Sequence, residues 1–250
     1  RPAMSDAPIF LLEEKYSGES TASKLARLRE EMKKEGATAH ILITLDDIAW
    51  LLNFRGHDVA YTLVALSYAV IDMDSVHLFI DENKVSQEIK EVFAKDHIVL
   101  HPYNDVYDYV RMMNPAESIL IDPARLNYAL YNAIPSDAKI IEKMNPCIPF
   151  KAVKNEVELE NIRIAHIKDG VAHTKFMYWL KNTIGKEPIT ELSASDKLES
   201  FRAEQDDFIC PSFAPICAYG AHAAMCHYSS TPETNCELKE GKFFLSDTGG

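Results

Sequence analysis

The chain has 250 residues, 47% of them hydrophobic and 26% charged, enough apolar side chain for one large or two modest cores and enough charge to solvate their surfaces. Global disorder is thereby excluded. Subtracting 38 acidic from 26 basic side chains gives a net charge of −12, the wrong sign for coating phosphates, so nucleic acid and anionic membrane are excluded as partners.

Arg1-Pro2-Ala3-Met4 lacks the apolar core of a signal peptide, and residues 1–14 read as a tag or an upstream junction. Leu25, Leu28 and Met32 fall on one face of a helix from Ala22 to Lys34, stopped by Gly36. A short apolar strand, Ala39 to Thr44, leads into a second helix, Leu45 to Leu52. Strands Ser67 to Ile71 and Val76 to Ile80, separated by Asp72-Met73-Asp74-Ser75, predict a hairpin. Helices Val85–Ala94, Val106–Met112 and Tyr128–Asn132 then alternate with strands His97–Leu100, Ser118–Ile121 and Lys139–Glu142. This rhythm predicts an α/β domain with a mixed sheet over residues 15–150.

Pro146 and Pro149 mark the expected domain boundary. Asn155 with Glu158 forms a capping box for a long helix to about Thr183, and Thr190 caps a second that carries Leu192, Ala194, Leu198 and Phe201 inward. Short strands follow at Ser212–Cys217, Met225–Tyr228 and Phe243–Ser246, so residues 151–250 read as α+β. The apolar stretch from Leu63 to Ile71 is broken by Ser67 and Tyr68 and falls far short of the roughly 20 residues of a membrane span. Cys147, Cys210, Cys217, Cys226 and Cys236 contain no C-x-x-C pair, which fits a reduced, cytoplasmic compartment.

Lys242-Phe243-Phe244-Leu245 has the pattern of a buried strand that delivers Asp247 beside a small-residue turn. A carboxylate there is poorly solvated unless neutralised, and a hard divalent cation does this well. Spacing alone leaves two readings open, a metal ligand and a turn residue. His227, in Met225-Cys226-His227-Tyr228, is either a proton-transfer group or a hydrogen-bonded core histidine. His222 stands in the turn Gly220-Ala221-His222-Ala223. Asn53-Phe54-Arg55-Gly56-His57-Asp58 is either a functional loop or a helix end stopped by Gly56 with a surface ion pair, and the cysteines are most simply core. Phosphate-loop, dinucleotide and zincin motifs do not occur.

Five stretches together resemble aminopeptidase P, the Xaa-Pro aminopeptidase of the pita-bread metallopeptidase family. They are Leu45-Asp46-Asp47-Ile48-Ala49-Trp50-Leu51-Leu52-Asn53-Phe54-Arg55-Gly56, Ala152-Val153-Lys154-Asn155, Ala165-His166-Ile167-Lys168-Asp169, His227-Tyr228 with Pro232-Glu233-Thr234-Asn235, and Leu245-Ser246-Asp247-Thr248-Gly249. The resemblance implies a creatinase/prolidase N-terminal-like domain followed by part of an α+β pita-bread domain. It also implies release of the first residue from peptides with proline second, two divalent ions, typically manganese, and a homodimer in the complete enzyme. Asp247 falls on the first metal-ligating aspartate and His227 on the substrate-lining, proton-relay histidine. The remaining ligands, an aspartate, a histidine and two glutamates, are expected beyond Gly250, which makes the chain inactive alone. His222-Ala223 replaces an Asn-Gly pair frequent in the family, so the substrate-entry loop is expected to differ. The same scaffold serves proline dipeptidases and creatine-type hydrolases, and a non-catalytic interaction protein that lost its metals is the alternative from another class.

Overall fold

A computed structural model describes residues 3–250. The chain divides into two compact units, one running to Val59 and resuming over Leu63–Leu159, the other made of Ala60–Thr62 and Glu160–Gly250.

The first unit contains β1 (Phe10–Leu11), α1 (Glu14–Ser17), α2 (Thr21–Glu35), β2 (Ala39–Leu42), α3 (Leu45–Leu51), β3 (Phe54–Arg55), β4 (Tyr68–Asp72) and β5 (Val76–Phe79). These are followed by α4 (Gln87–Lys95), β6 (Ile98–His101), α5 (Val106–Arg111), β7 (Ser118–Ile121), α6 (Tyr128–Tyr131), β8 (Lys139–Glu142) and α7 (Cys147–Ala152). Six strands form one sheet in the order β6-β5-β4-β2-β7-β8. The β2–β4 and β4–β5 pairs are antiparallel and the β5–β6, β2–β7 and β7–β8 pairs parallel, so the sheet is mixed, as expected.

Alternation along the strands divides the core between the two faces of the sheet. Leu42, Ala69 and Ile71 pack with Leu25, Leu28 and Met32 of α2 and with Ile48 and Trp50 of α3. Ile41 and Val70 point the other way, onto Val106, Val110 and Leu130. The β4–β5 hairpin is closed by Asp72, whose carboxylate accepts the Asp74 and Ser75 N–H groups at 2.8 and 2.6 Å. Arg29 of α2 donates to the Asp72 and Ser75 carbonyls, which ties the turn to the helix above it.

Three expectations change here. Residues before 15 belong to the fold from at least Ile9, which is buried, and β1 pairs antiparallel with β3. Two paired residues are too few to leave a periodic signal. Pro146 and Pro149 do not interrupt the first unit: Pro146 caps α7 and Pro149 lies in its first turn, where a missing N–H costs nothing. Cys147 is buried in the core with α3, and the division between units falls after Leu159, inside α8 (Glu156–Thr183). Helix α3 ends at Leu51 with Leu52 as its C-cap, followed by Asn53 at φ +49°, and not at Gly56. Gly56 is instead a close approach, since a Cβ there would lie 2.9 Å from the Ala65 Cβ. Asp58 pairs with Lys84 in the interior, not at the surface.

In the second unit α8 and α9 (Glu191–Ala203) pack through Phe176, Leu180, Ala194 and Leu198. The capping box is present, with Asn155 N–H donating to Glu158 Oε2 and Glu158 N–H to Asn155 Oδ1, each at 2.9 Å. A two-stranded antiparallel sheet joins β9 (Ile216–Tyr219) to β10 (Phe244–Asp247). Among the described residues, no helix is long and apolar enough to cross a membrane.

Lys24 is buried, its ammonium donating to the Trp50 carbonyl at 2.8 Å and Asn53 Oδ1 at 2.7 Å and lying over the Trp50 ring. Burial lowers its pKa from 10.5 to about 8 against the attraction of Glu19. The folded state therefore binds fewer protons than the unfolded one between these values, and stability from this group rises with pH across that window. In denaturant unfolding followed by Trp50 fluorescence in a Trp179→Phe background, the protein with Lys24 should gain stability relative to Lys24→Met as pH rises from about 7.5 to about 10.

Candidate functional site

The polar centre of the second unit is Glu191, the first helical residue of α9. Thr190 caps the helix, accepting from Ser193 N–H at 3.2 Å, and this turns the next side chain inward. Glu191 is 0% exposed. A buried carboxylate persists only when its lone pairs are taken, and here both oxygens are satisfied. Oε1 accepts the Tyr219 N–H at 2.7 Å and faces His222 Nδ1 at 2.9 Å. Oε2 accepts the Tyr228 hydroxyl at 2.8 Å and the Ser230 hydroxyl at 3.3 Å. Burial works to raise the carboxyl pKa, but the Tyr219 N–H, His222 and Tyr228 outweigh it and hold it below 4.5. The resulting stability is fully present above that value and is lost as pH falls through the lowered one.

This carboxylate gathers β9, the 3-10 turn Gly220–Ala224 and the segment through Ser230 around one point. The His222 and Tyr228 rings stack with centroids 4.6 Å apart. His227 lies between them in the chain, and the predicted strand Met225–Tyr228 is absent. The apolar alternation is broken because His227 adopts φ +54°, a left-handed conformation that no strand residue can hold. His227 is exposed, so the core-histidine alternative fails, and Cys226 beside it is exposed as well, against the expectation of a core cysteine.

Asp247 is the last residue of β10, opposite Ile216. The expected buried strand is not what forms. Phe243 is 88% exposed and Leu245 40%, and Asp247 is itself exposed, without a hydrogen-bond or ion-pair partner among the described residues. Apolar residue type signalled burial, but among the described residues β10 pairs with β9 alone. Desolvation is thus no argument for a metal at Asp247; the remaining argument is placement. The turn after it is held firmly. Arg202, 3% exposed, donates through Nε to Asp169 Oδ1 at 2.6 Å and through Nη2 to Thr248 Oγ1 at 3.1 Å. Ser212 N–H donates to the Gly249 carbonyl at 3.1 Å. A Cβ at 249 would lie 2.3 Å from Ser212 Oγ and 3.1 Å from Phe213 Cε1, so a larger residue there would require the Ser212 and Phe213 side chains to move aside.

Among the described residues no hydrogen bond or ion pair joins His227 to Asp247. They are linked through the β9–β10 ladder, whose β9 end at Tyr219 is fixed by Glu191. Glu191 and Cys236 escaped the sequence reading, although Thr190 as N-cap marked where the first carboxylate of α9 would lie.

Comparison with known proteins gives two family matches: residues 1–158 match the Creatinase/Prolidase N-terminal domain and residues 160–250 match Metallopeptidase family M24. Xaa-Pro aminopeptidase 1 of Dictyostelium discoideum is 39% identical over 96% of this chain and 39% of its own length. The probable Xaa-Pro aminopeptidase P of Neurospora crassa is 36% identical over all of this chain and 38% of its own. The chain thus spans about two fifths of the curated relatives it matches. Among solved structures, the X-prolyl aminopeptidase of Caenorhabditis elegans, described as a cytosolic enzyme with a di-nuclear active site, superposes with TM-score 0.93 at 31% identity, covering 99% of this chain and 42% of that one. The Xaa-Pro dipeptidase of Bacillus anthracis, at 19% identity and TM-score 0.65 over 92% of this chain and 61% of that one, shares the fold.

Replacing Glu191 by Gln keeps the shape but turns an NH2 group toward donors. The Tyr219 amide, read by hydrogen exchange, should lose protection equivalent to about 1–3 kcal/mol, while amides of the first unit stay unchanged.

Proposed function

Because the chain belongs to the family that carries the Creatinase/Prolidase N-terminal domain, here followed by a Metallopeptidase family M24 stretch, we propose that it forms part of a metal-dependent aminopeptidase that releases the first residue from peptides with proline second. The observation that carries this reading is Asp247 at the end of β10, exposed and unpartnered, immediately before a turn fixed by Arg202, Ser212 and Gly249. A carboxylate with its oxygens uncommitted, on a strand end that cannot drift, suits a hard divalent cation. One carboxylate cannot hold two ions, so the reading assigns Asp247 a share of the site and the other ligands to further M24 residues.

When bound, a pair of divalent ions supplies an activated water and a clamp on the oxygens of the scissile bond. The contribution of this chain's own residues is narrower. Asp247 donates a carboxylate oxygen, and His227, exposed on the turn held by Tyr228, presents an imidazole that can orient the peptide and pass a proton. Manganese as the metal, a homodimer in the complete enzyme and a cytoplasmic location belong to the same proposal, the last supported by the description of the C. elegans enzyme. Identity of 31–39% to the D. discoideum, N. crassa and C. elegans proteins, each named as an Xaa-Pro or X-prolyl aminopeptidase, favours the aminopeptidase over other reactions of the scaffold.

The 250-residue chain alone should release no amino acid from an Xaa-Pro peptide. A polypeptide joining it to the rest of the M24 fold should do so, and should lose the activity on dialysis against a chelator. In that polypeptide Asp247→Asn should abolish metal-dependent turnover, and His227→Ala should lower kcat by about 10²–10⁴-fold. Chelator-resistant turnover, or full activity in Asp247→Asn, would sink the proposal.

A further inference from the structure

Glu191 and His222 share their corner of the second unit with Cys236. One ligand atom from each, a carboxylate oxygen, Nδ1 and Sγ, lies within 4.8 Å of the other two. His222 Nδ1 is 2.9 Å from Glu191 Oε1 and 3.8 Å from Cys236 Sγ. We propose that Glu191, His222 and Cys236 form a binding site for a thiophilic divalent cation of the zinc class, separate from Asp247.

Geometry supports this. Zn–S and Zn–N bonds of about 2.3 and 2.0 Å at the tetrahedral angle put sulfur and nitrogen about 3.5 Å apart, within a few tenths of an ångström of the present spacing. Nitrogen and oxygen ligands would stand about 3.3 Å apart, so the imidazole has only to shift by less than half an ångström from the carboxylate it now hydrogen-bonds.

Each ligand is held in place by other contacts. Glu191 N–H donates to the Cys236 carbonyl at 3.2 Å and Leu238 N–H to the Ile189 carbonyl at 2.8 Å, which fixes the Cys236 backbone against the start of α9. Tyr228 fixes the imidazole plane by stacking. On binding, Glu191 Oε1 keeps the Tyr219 N–H on its second lone pair, and Oε2 keeps Tyr228 and Ser230. Supporting contacts of this kind orient metal ligands.

The chemistry balances. Cys236 forms the S–metal bond and releases its proton to water, His222 gives water the Nδ1 proton that now faces Glu191 Oε1 and takes one from water on Nε2, and Glu191 is already ionised, so the dication meets two negative charges. Burial and the Glu191 carboxylate push the Cys236 thiol up. Sulfur, imidazole and carboxylate together select zinc or cobalt over magnesium, calcium or manganese. His222 and Cys236 are half-buried and line an open cleft of about 520 Å³, so a fourth position is within reach of water or an anion. Lys239 and Lys242 on the cleft wall favour an anion there, and Glu237 and Glu240 on the same wall offset their repulsion of the metal.

The proposal does not depend on the peptidase reading, and its test needs only the 250-residue chain. Chelator-treated protein titrated with Co2+ should develop a near-ultraviolet thiolate-to-cobalt band that saturates at a single equivalent and is bleached by Zn2+. Cys236→Ser and His222→Gln should each abolish the band, with circular dichroism in metal-free buffer unchanged. Cys226→Ser and Asp247→Asn should retain it. Zn2+ should also protect Cys236 of the wild type from alkylation, a readout that stands if Cys236→Ser fails to fold. Absence of the band, its survival in Cys236→Ser, its loss in Cys226→Ser, or Cys236 alkylated equally with and without Zn2+ would overturn the proposal.

Discussion

A carboxylate with no water around it must find protein donors, and in the second unit the four donors to Glu191 come from three places at once: the β9 backbone, the 3-10 turn, and the segment after His227 through Tyr228 and Ser230. Of these segments, β9 also contributes Cys217, Ala218 and Tyr219 to the buried core. Their positions are set by the need to satisfy one buried anion, since leaving a donor or the charge unpaired there would cost about as much as several apolar contacts supply. Through Tyr219 the same anion fixes one end of β9, and through the β9–β10 ladder it sets the register in which Asp247 emerges.

The first unit uses the same device with different chemistry. His40, on a central strand, faces the Leu120 carbonyl through Nδ1 and Asn145 Oδ1 through Nε2. Asn145 donates from its side chain to Asp47 at 2.9 Å and from its backbone to Asp122 at 2.9 Å, and Asp47 also pairs with Lys151 at 2.7 Å. A chain of buried polar groups thus joins β2, α3, the end of β8 and α7. Burial lowers the His40 pKa, with the Leu120 carbonyl and the Asn145 side chain only partly offsetting it. Such networks specify one arrangement where apolar contacts would accept several.

The elements with strong periodicity were legible in the sequence: α2 from Leu25, Leu28 and Met32, the β4–β5 hairpin from its polar turn, α8 from Asn155 and Glu158, α9 from Thr190. The site was legible only where it coincides with a strand end. Met225-Cys226-His227-Tyr228 alternates like a strand, yet Tyr228 is drawn inward by its hydroxyl while His227 turns out. Phe243 and Leu245 read as core from residue type, and they stand exposed here in a chain that spans about two fifths of its relatives, with β9 the one strand paired to β10 among the described residues. Glu191 could not be seen because an acid in the first turn of a helix is ordinary, and its partners lie 28 to 39 residues along the chain. No local pattern encodes that distance.

The left-handed backbone at His227 limits what this position can become. A β-branched residue at φ +54° would be strained, whereas Gly, Asn, Asp and His tolerate the conformation. Sequence drift at 227 is therefore filtered by backbone geometry before any chemistry is tested. Of the few residues that pass the filter readily, only histidine can also exchange a proton near neutral pH. A turn shaped this way keeps a narrow menu, and imidazole is the one choice on it that serves both demands.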